Sequence, residues 1–304
     1  MLGYTPIAMS TENMLTAGGA VVFNPAAGRG KGIHRLDAAK RALGPEYEWV
    51  PTQRAGHAVE LARELATRCP VVVAFGGDGT VGDVVRGIHG TGAILGVIPA
   101  GTGNDVARNL GIPLDATEAA RVIHEGSALS VDIGFINGVP FINNVGTGFD
   151  SRVMQTMNTG IRFARGRIAF NLAILKTLFR FPPFMLTLSV DDEPERVVSD
   201  AMLISVLNGT MYGAGIPAAP EARMDDGRLD VMLIRDVPKI QRIPLLIKLQ
   251  HGQHVSHPSV SIFRASRLRI AANPPQPMNV DGEIRGSTPA EITVESRALK
   301  VLVR

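Results

Sequence analysis

The chain has 304 residues, enough for about two domains at roughly 150 residues each. Hydrophobic residues make up 45% and charged residues 19%, which excludes wholesale disorder, and the single cysteine, Cys69, excludes a disulfide-stapled scaffold. A net charge of +3 is too small to argue for nucleic acid, which is not expected as a partner, although it suits an anionic surface.

Residues 1–17 lack periodicity and read as a flexible tail. Arg29 is the first basic residue, so no secretory n-region precedes it, and no apolar run approaches the ~18 residues of a spanning helix. A cytoplasmic protein that meets membrane only from outside is expected. AVVFNP then reads as a buried strand ending at Pro25. Glycines and a helix follow, the helix carrying Ile33, Leu36, Ala39 and Leu43 on one face. EYEWVPT is a second strand, and AGHAVELARELATRC a helix with Ala58, Leu61, Ala62, Leu65 and Cys69 on one stripe. VVVAF (71–75) is a continuous apolar strand of the kind buried in parallel sheets, GGDGT breaks it, and VGDVVRGI resumes as helix. AILGVIPA (93–100) is the next strand, GTGND its turn, and ATEAARVIHEG (116–126) another helix. Repeated strand–helix units predict an α/β domain over 18–131, a parallel sheet with helices on both faces, completed by the last strand at about 297–304.

Beyond residue 130 the pattern changes. LSVDIGFI, FINNVGTGF, FMLTLSV, VSDAMLISVLNG, LDVMLIRD, SIFRASRLRIAA and AEITVES are strand-like, mostly separated by turn residues. They predict a mostly antiparallel β-sandwich domain over 132–296, interrupted by helices at about 161–180 and 239–251.

Three glycine-bearing turns carry the chemistry. GGDGT (76–80) lies between a strand and a helix, where missing Cβ atoms let backbone approach a ligand and the helix N-terminus offers N–H groups to phosphate. NPAAGRG (24–30) and GTGND (101–105) leave the same edge of the sheet, and open α/β sheets bind ligands outside the carboxyl ends of their strands. None is a dinucleotide fingerprint or a Walker A loop.

In this order and spacing, NPAAGRGKG, GGDGTVGDVV and IPAGTGNDVARNLGIP resemble the diacylglycerol kinase catalytic domain, and more closely the bacterial lipid kinases of the diacylglycerol and sphingosine kinase superfamily. The similarity continues through VDIGFINGVPFINNVGTGFDSRV, APEARMDDGRLDV and NVDGE, and covers nearly the whole chain from Gly18. It implies ATP contacts at Asn24, Pro25, Ala26, Ala27 and Gly28, at Thr52, along Gly76, Gly77, Asp78, Gly79, Thr80, Val81 and Gly82, and at Thr102. It also implies Mg²⁺ and a metal loop that uses the Asp226 carboxylate with the carbonyl oxygens of Arg223 and Arg228, an oxygen-only set suited to a hard cation. One departure is MYGAGIPAAP (211–220), where Ala214 interrupts a run that is often three glycines.

The expected reaction is transfer of the γ-phosphoryl group of ATP to a lipid hydroxyl, with diacylglycerol the foremost acceptor. An NAD kinase and an inactive nucleotide-sensing homologue are the alternatives. Asp281 and Glu283 of NVDGE are the candidate general bases, Asp281 slightly ahead, with Asp78 next. In an extended turn both side chains fall on one side of the chain. From Ser151 to Val190 there is no acidic residue but Arg152, Arg162, Arg165, Arg167, Lys176 and Arg180. That stretch reads equally as a surface that docks on anionic lipid or as a packed helix with solvated arginines. HGQHVSH (251–257) reads as a solvated helix end, Asp132 as either a metal-network or a capping carboxylate, and Cys69 as a packed thiol. A homodimer is among the oligomeric states open to such a chain.

Overall fold

The computed structural model describes residues 18–25, 31–160 and 166–304. The expected tail (1–17), Ala26, Ala27, Gly28, Arg162 and Arg165 lie outside the described residues, as does the side chain of Arg167.

In the N-terminal half, β1 (Gly19–Phe23), β2 (Tyr47–Pro51), β3 (Val71–Gly76) and β4 (Ile94–Pro99) pair in parallel in the order β2–β1–β3–β4. β1, β3 and β4 are buried along their whole length, as their unbroken apolar runs require when helices cover both faces. Those helices are α1 (Lys31–Leu43), α2 (His57–Leu65), α3 (Asp78–Ile88), α4 (Asp105–Asn109) and α5 (Ala116–Glu125). Ala39 and Leu43 of α1 and Ala58, Ala62 and Leu65 of α2 enter one core with the strands. Cys69 is half-buried beyond the end of α2, and burial raises its thiol.

The remaining strands are mostly antiparallel. β5 (Ser127–Ile136) runs beside β15 (Ala290–Val303) over most of their length, and Val301 of β15 also pairs in parallel with Leu95 of β4. β15 therefore carries the parallel sheet into the C-terminal strands, so the strands of the described residues form one continuous mixed sheet. β6 (Val139–Phe141) pairs with β5, β7 (Asn144–Gly148) lies between β9 (Arg196–Leu207) and β13 (Pro277–Val280), and β8 (Phe184–Val190) joins β9 to β12 (Arg267–Asn273). β10 (Leu229–Arg235) pairs with β9 and β11 (Val260–Ala265), and β14 (Glu283–Ser287) closes a hairpin on β13.

Three sequence readings are corrected. FINNVGTGF is two short strands, and Phe149 begins an unforeseen helix, α6 (Phe149–Gly160), directly after Gly148 turns the chain at φ 99°. α6 precedes α7 (Gly166–Leu178), and α8 (Lys239–Gln250) follows β10. SIFRASRLRIAA is broken at Ser266, because the Asp191 carboxylate accepts from the N–H of Ser266, the N–H of Arg267 and the Ser266 hydroxyl. The histidine cluster is a solvated helix end only in part: His251 is exposed at the end of α8, but His254 is fully buried and bonded through Nε2 to the Ala218 carbonyl at 2.9 Å, and burial lowers its pKa.

The two halves are stitched by the short helix α4. Asp105 accepts from the N–H groups of Ala214 (2.9 Å) and Gly215 (2.7 Å). Asn109 donates to Asn143 Oδ1 (2.7 Å) and the Met211 carbonyl (2.9 Å), and accepts from Met211 N–H and Thr210 Oγ1. Charge-assisted and amide bonds at that density fix the 210–215 loop against the glycine turns.

Candidate active site

Two cavities flank the first turn of α3. One, of about 610 Å³, lies at the carboxyl ends of β1, β2 and β3 and is lined by Asn24, Pro25, Thr52, Gly77, Gly79 and Thr80 with Arg54, Asp83, Glu283 and Arg285. No side chain caps α3, whose first residues Gly79 and Thr80 line this space, so its N-terminal N–H groups are left without a side-chain partner. The turns that shape it are tightly packed. A Cβ on Gly101 would lie 2.5 Å from the Cα of Gly77, so these two backbones meet only because both residues are glycine.

The second cavity, of about 440 Å³, lies on the other side of the same turn. Its inner wall is apolar: Phe149, Val153 and Met154 of α6, Ile174 of α7, Leu203 of β9, Ile216, and Leu246 and Leu249 of α8. Its polar end holds Asp78, Asp105, Asn143, Asn144, Asp150, Asn279 and Asp281. The cavities are separated by single residues: Gly77, Gly79 and Glu283 face the polar one, while Asp78 and Gly282 face the apolar one.

The expected site residues therefore divide. Asn24, Pro25, Thr52, Gly77, Gly79 and Thr80 gather around the polar cavity, whereas Asp78 and Thr102 border the apolar one. Gly76 ends β3 in the core, and Val81 and Gly82 are buried inside α3, so the Val81 side chain packs rather than binds. Asp78 Oδ1 accepts from Val106 N–H at 3.0 Å. A Cβ on Gly103 would lie 2.9 Å from Asp78 Oδ2 and 3.4 Å from Asp105 Oδ2, so these two carboxylates converge on one point. Burial, and then the charge of Asp78, raise the Asp105 pKa. A convergent pair of oxygen donors fits a hard divalent cation, which Asp78 and Asp105 would hold.

The NVDGE turn is not extended. Asp281 (φ 48°) and Gly282 (φ 86°) both lie in the left-handed region and form the two-residue hairpin between β13 and β14. The Asp281 carboxylate points inward. It accepts from the N–H groups of Ile142 (3.2 Å), Asn143 (2.9 Å) and Asn144 (3.2 Å), with Arg86 Nη1 3.9 Å away, and burial pushes its pKa up to about 6. Glu283 is exposed and lies over α3: a Cβ on Gly79 would sit 3.1 Å from its Oε1, while Oε2 accepts from Arg285.

Several polar groups of the site escaped the sequence reading. Asp150, on the unforeseen helix α6, is buried against Gly146, accepts from Ser151 N–H at 2.6 Å, and is raised to about 6 by burial. Asn144 Nδ2 and Asn279 Oδ1 beside it are buried without a hydrogen-bond partner. Arg86 is buried between Asp83 (2.5 Å) and Asp281. Only the helical spacing of Asp83 and Arg86 could have signalled this group. The 223–228 loop lies apart from both cavities. Asp226 Oδ1 accepts from Arg228 N–H (3.0 Å) and Oδ2 lies 3.5 Å from Arg264 Nη1, while Asp132 braces the loop by accepting from Gly227 and Arg297 N–H. Among the described residues no three His, Cys, Asp or Glu side chains are arranged to hold a metal.

Residues 19–136 match the diacylglycerol kinase catalytic domain and residues 143–303 the YegS C-terminal NAD kinase beta sandwich-like domain. The chain is 34% identical over 248 residues to a diacylglycerol kinase of Mycobacterium tuberculosis, covering 80% of this chain and 79% of that one. It is 31% identical over 278 residues to the diacylglycerol kinase of Staphylococcus carnosus, covering 89% and 90%. A crystal structure of a diacylglycerol kinase from Bacillus anthracis shares the fold, with a TM-score of 0.70 at 23% identity over 95% of this chain and 97% of that one. With a glycine-bearing polar cavity and an apolar one meeting at one helix turn, and both halves matched in order, the chain belongs to the diacylglycerol kinase family and is a lipid kinase.

Proposed function

We propose that this protein transfers the γ-phosphoryl group of ATP to the free hydroxyl of diacylglycerol, giving phosphatidic acid. The observation that carries the proposal is the pair of cavities divided by single residues of α3 and the β13–β14 hairpin. Triphosphate seated on the glycine turns would bring its terminal phosphorus to the boundary, and an acyl-bearing acceptor in the apolar cavity would bring its hydroxyl to the same point. An apolar wall of this extent suits acyl chains, which favours the lipid over NAD as acceptor.

Phosphoryl transfer needs positioning and charge neutralisation more than covalent chemistry. Asn24, Thr52, Gly77, Gly79 and Thr80 would seat the nucleotide, and Asp78 with Asp105 would hold Mg²⁺, which supplies charge neutralisation on the phosphates. As the acceptor oxygen bonds to phosphorus, the bond to the bridging oxygen of the diphosphate breaks and the hydroxyl proton must leave. We assign that proton to Glu283, whose Oε1 lies over the first turn of α3. Asp281 has its oxygens occupied by three backbone N–H groups and acts as a positioning residue that fixes Asn143 and Asn144. In this reading the acceptor is presented by a membrane that the protein contacts peripherally.

The test offers labelled ATP with diacylglycerol micelles and with NAD in parallel, and separates products by thin-layer chromatography. Labelled phosphatidic acid is expected. Labelled NADP, or nucleotide binding with no transfer to any lipid, would overturn the proposal.

A further inference from the structure

The helices that wall the apolar cavity turn other faces outward, and those faces are not simply polar. α8 buries Leu245 and Leu249 and sends Leu246 to the cavity. Opposite them, Ile240 is 84% exposed, Ile243 38% and Ile247 51%. Their spacing of i, i+3 and i+7 places them on one stripe. α7 and its C-terminal extension repeat the arrangement: Ile174 faces the cavity while Leu175 and Phe179 are exposed. Lys176, Arg180, Lys239 and Lys248 are exposed among these residues, and neither helix contains an acidic residue.

The two helices are locked together. The buried Arg242 of α8 donates to the carbonyl oxygens of Leu178 (2.6 Å) and Phe181 (3.2 Å) and to Asp236 (2.8 Å). Phe179 and Lys239 consequently border one groove. A lone exposed isoleucine needs no explanation, but five large apolar side chains on two joined helices that carry cations and no acidic residue do. Anionic lipid meets both features: the acyl boundary accepts the isoleucines and the headgroups pair with the lysines. A second copy of this chain would bring the same positive charge against itself.

We propose that the outer face of α8, with Leu175 and Phe179, enters the surface of an anionic bilayer, so that the acceptor cavity behind it opens toward the leaflet. This goes beyond the basic stretch at 151–190, since α8 lies outside it. The role given to the cavity rests on the lipid-kinase reading, but the docking itself does not.

The experiment is sedimentation of the full chain with vesicles of phosphatidylcholine, with and without phosphatidylglycerol. Wild type should bind the anionic vesicles and be released as salt rises. The double variant Ile240→Asp/Ile247→Asp changes two exposed positions that do not line the cavity. Its vesicle-bound fraction should fall by about tenfold or more, the loss expected when an amphipathic face gains charge. Its melting temperature and its activity on a short-chain, water-soluble acceptor should stay at wild-type values. As a second measurement, emission from the indole introduced by Ile247→Trp should shift to the blue on adding anionic vesicles, while the native Trp49, packed between Phe23 and Phe75, should not respond. Undiminished vesicle binding by the double variant, or an unshifted emission from the Ile247→Trp variant, would overturn the proposal. So would a dimer in sedimentation velocity that the double variant dissociates while still binding vesicles. If wild type binds vesicles through α8 but phosphorylates no acceptor, the lipid-kinase reading fails and the docking surface stands.

Discussion

The polar and apolar cavities share a wall but are built differently. The polar cavity is built largely on turn backbone: residues that follow consecutive parallel strands, with glycines in close contact and a helix N-terminus that no side chain caps. The apolar cavity is mostly side chains, drawn from α3, α4, β7, α6, α7, β9, α8 and β13 and the loops beside them, and scattered from residue 78 to residue 282. A phosphate cradle depends on which residues lack a Cβ, whereas an acyl cavity depends on which distant faces pack together. The first should tolerate little change at few positions, and the second graded change at many.

The largest effect is expected at the dividing wall. Glu283→Gln removes the proposed proton acceptor and should lower turnover by about a hundredfold or more while ATP binding is retained. Asp78→Asn keeps the bond to Val106 N–H but removes charge at the metal, and should cost turnover on the same scale. Asp281→Asn should lose thermal stability more than turnover, since its carboxylate is held by three N–H groups. Normal turnover by Glu283→Gln with a dead Asp281→Asn would reverse the two assignments.

A smaller effect should mark the acyl side. Leu246→Trp would fill part of the apolar cavity, raising KM for a long-chain acceptor by about tenfold, the usual worth of a methylene or two in such a pocket. KM for ATP should not move. If both constants rise together, the cavities are not the separate binding sites that their linings suggest.

Smaller still is the pH dependence set by Asp150. Burial pushes its pKa to about 6, above the ordinary ~4 of an aspartate. Between those values the folded chain keeps a proton that the unfolded chain has lost, so this group's contribution to stability falls as pH rises from about 4 through 6. The loss is at most about 3 kcal/mol, at 1.36 kcal/mol per pKa unit. Asp150→Asn carries no charge to desolvate, and the unpartnered Asn279 Oδ1 can turn to receive its amide. The variant should match wild type near pH 4 and melt higher at pH 8. Parallel melting curves at both pH values would sink this account.

The smallest effect is expected at Asp226, remote from both cavities. Asp226→Ala removes an acceptor for Arg228 N–H and a partner of Arg264, worth about 1 kcal/mol or less at a partly exposed site. If a hard cation also binds there through the carbonyl oxygens of Arg223 and Arg228, added Mg²⁺ or Ca²⁺ should raise the wild-type melting temperature and not that of the variant. An equal rise in both would leave Asp226 with its arginine alone.

How much was legible follows from the same contrast. GGDGT, NPAAGRG and GTGND are local: each turn sits between a strand and a helix whose periodicity is visible, and parallel pairing forces the three onto one edge. Hence the parallel sheet, its helices and the gathering of Asn24, Gly77, Gly79 and Thr80 at one edge could be read from order and spacing, whereas Thr52, which joins them, came only with the family resemblance. Helix α6 could not, because Phe149 follows directly on Gly148, the last residue of β7, and its Asp150 gained a role only on meeting Asn279, 129 residues away. Nor could His254, whose burial depends on the Ala218 carbonyl 36 residues away. The hairpin at Asp281–Gly282 was visible as a turn, but the direction of its carboxylate was decided by the N–H groups of residues 142–144, some 140 residues earlier. Sequence by itself determined what short-range sterics and periodicity control, namely the strand–turn–helix units and the positions where backbone stands bare. Tertiary structure alone decided which carboxylates are buried, which are free, and which helix faces wall a cavity or meet solvent, because those depend on contacts between residues that the chain keeps far apart.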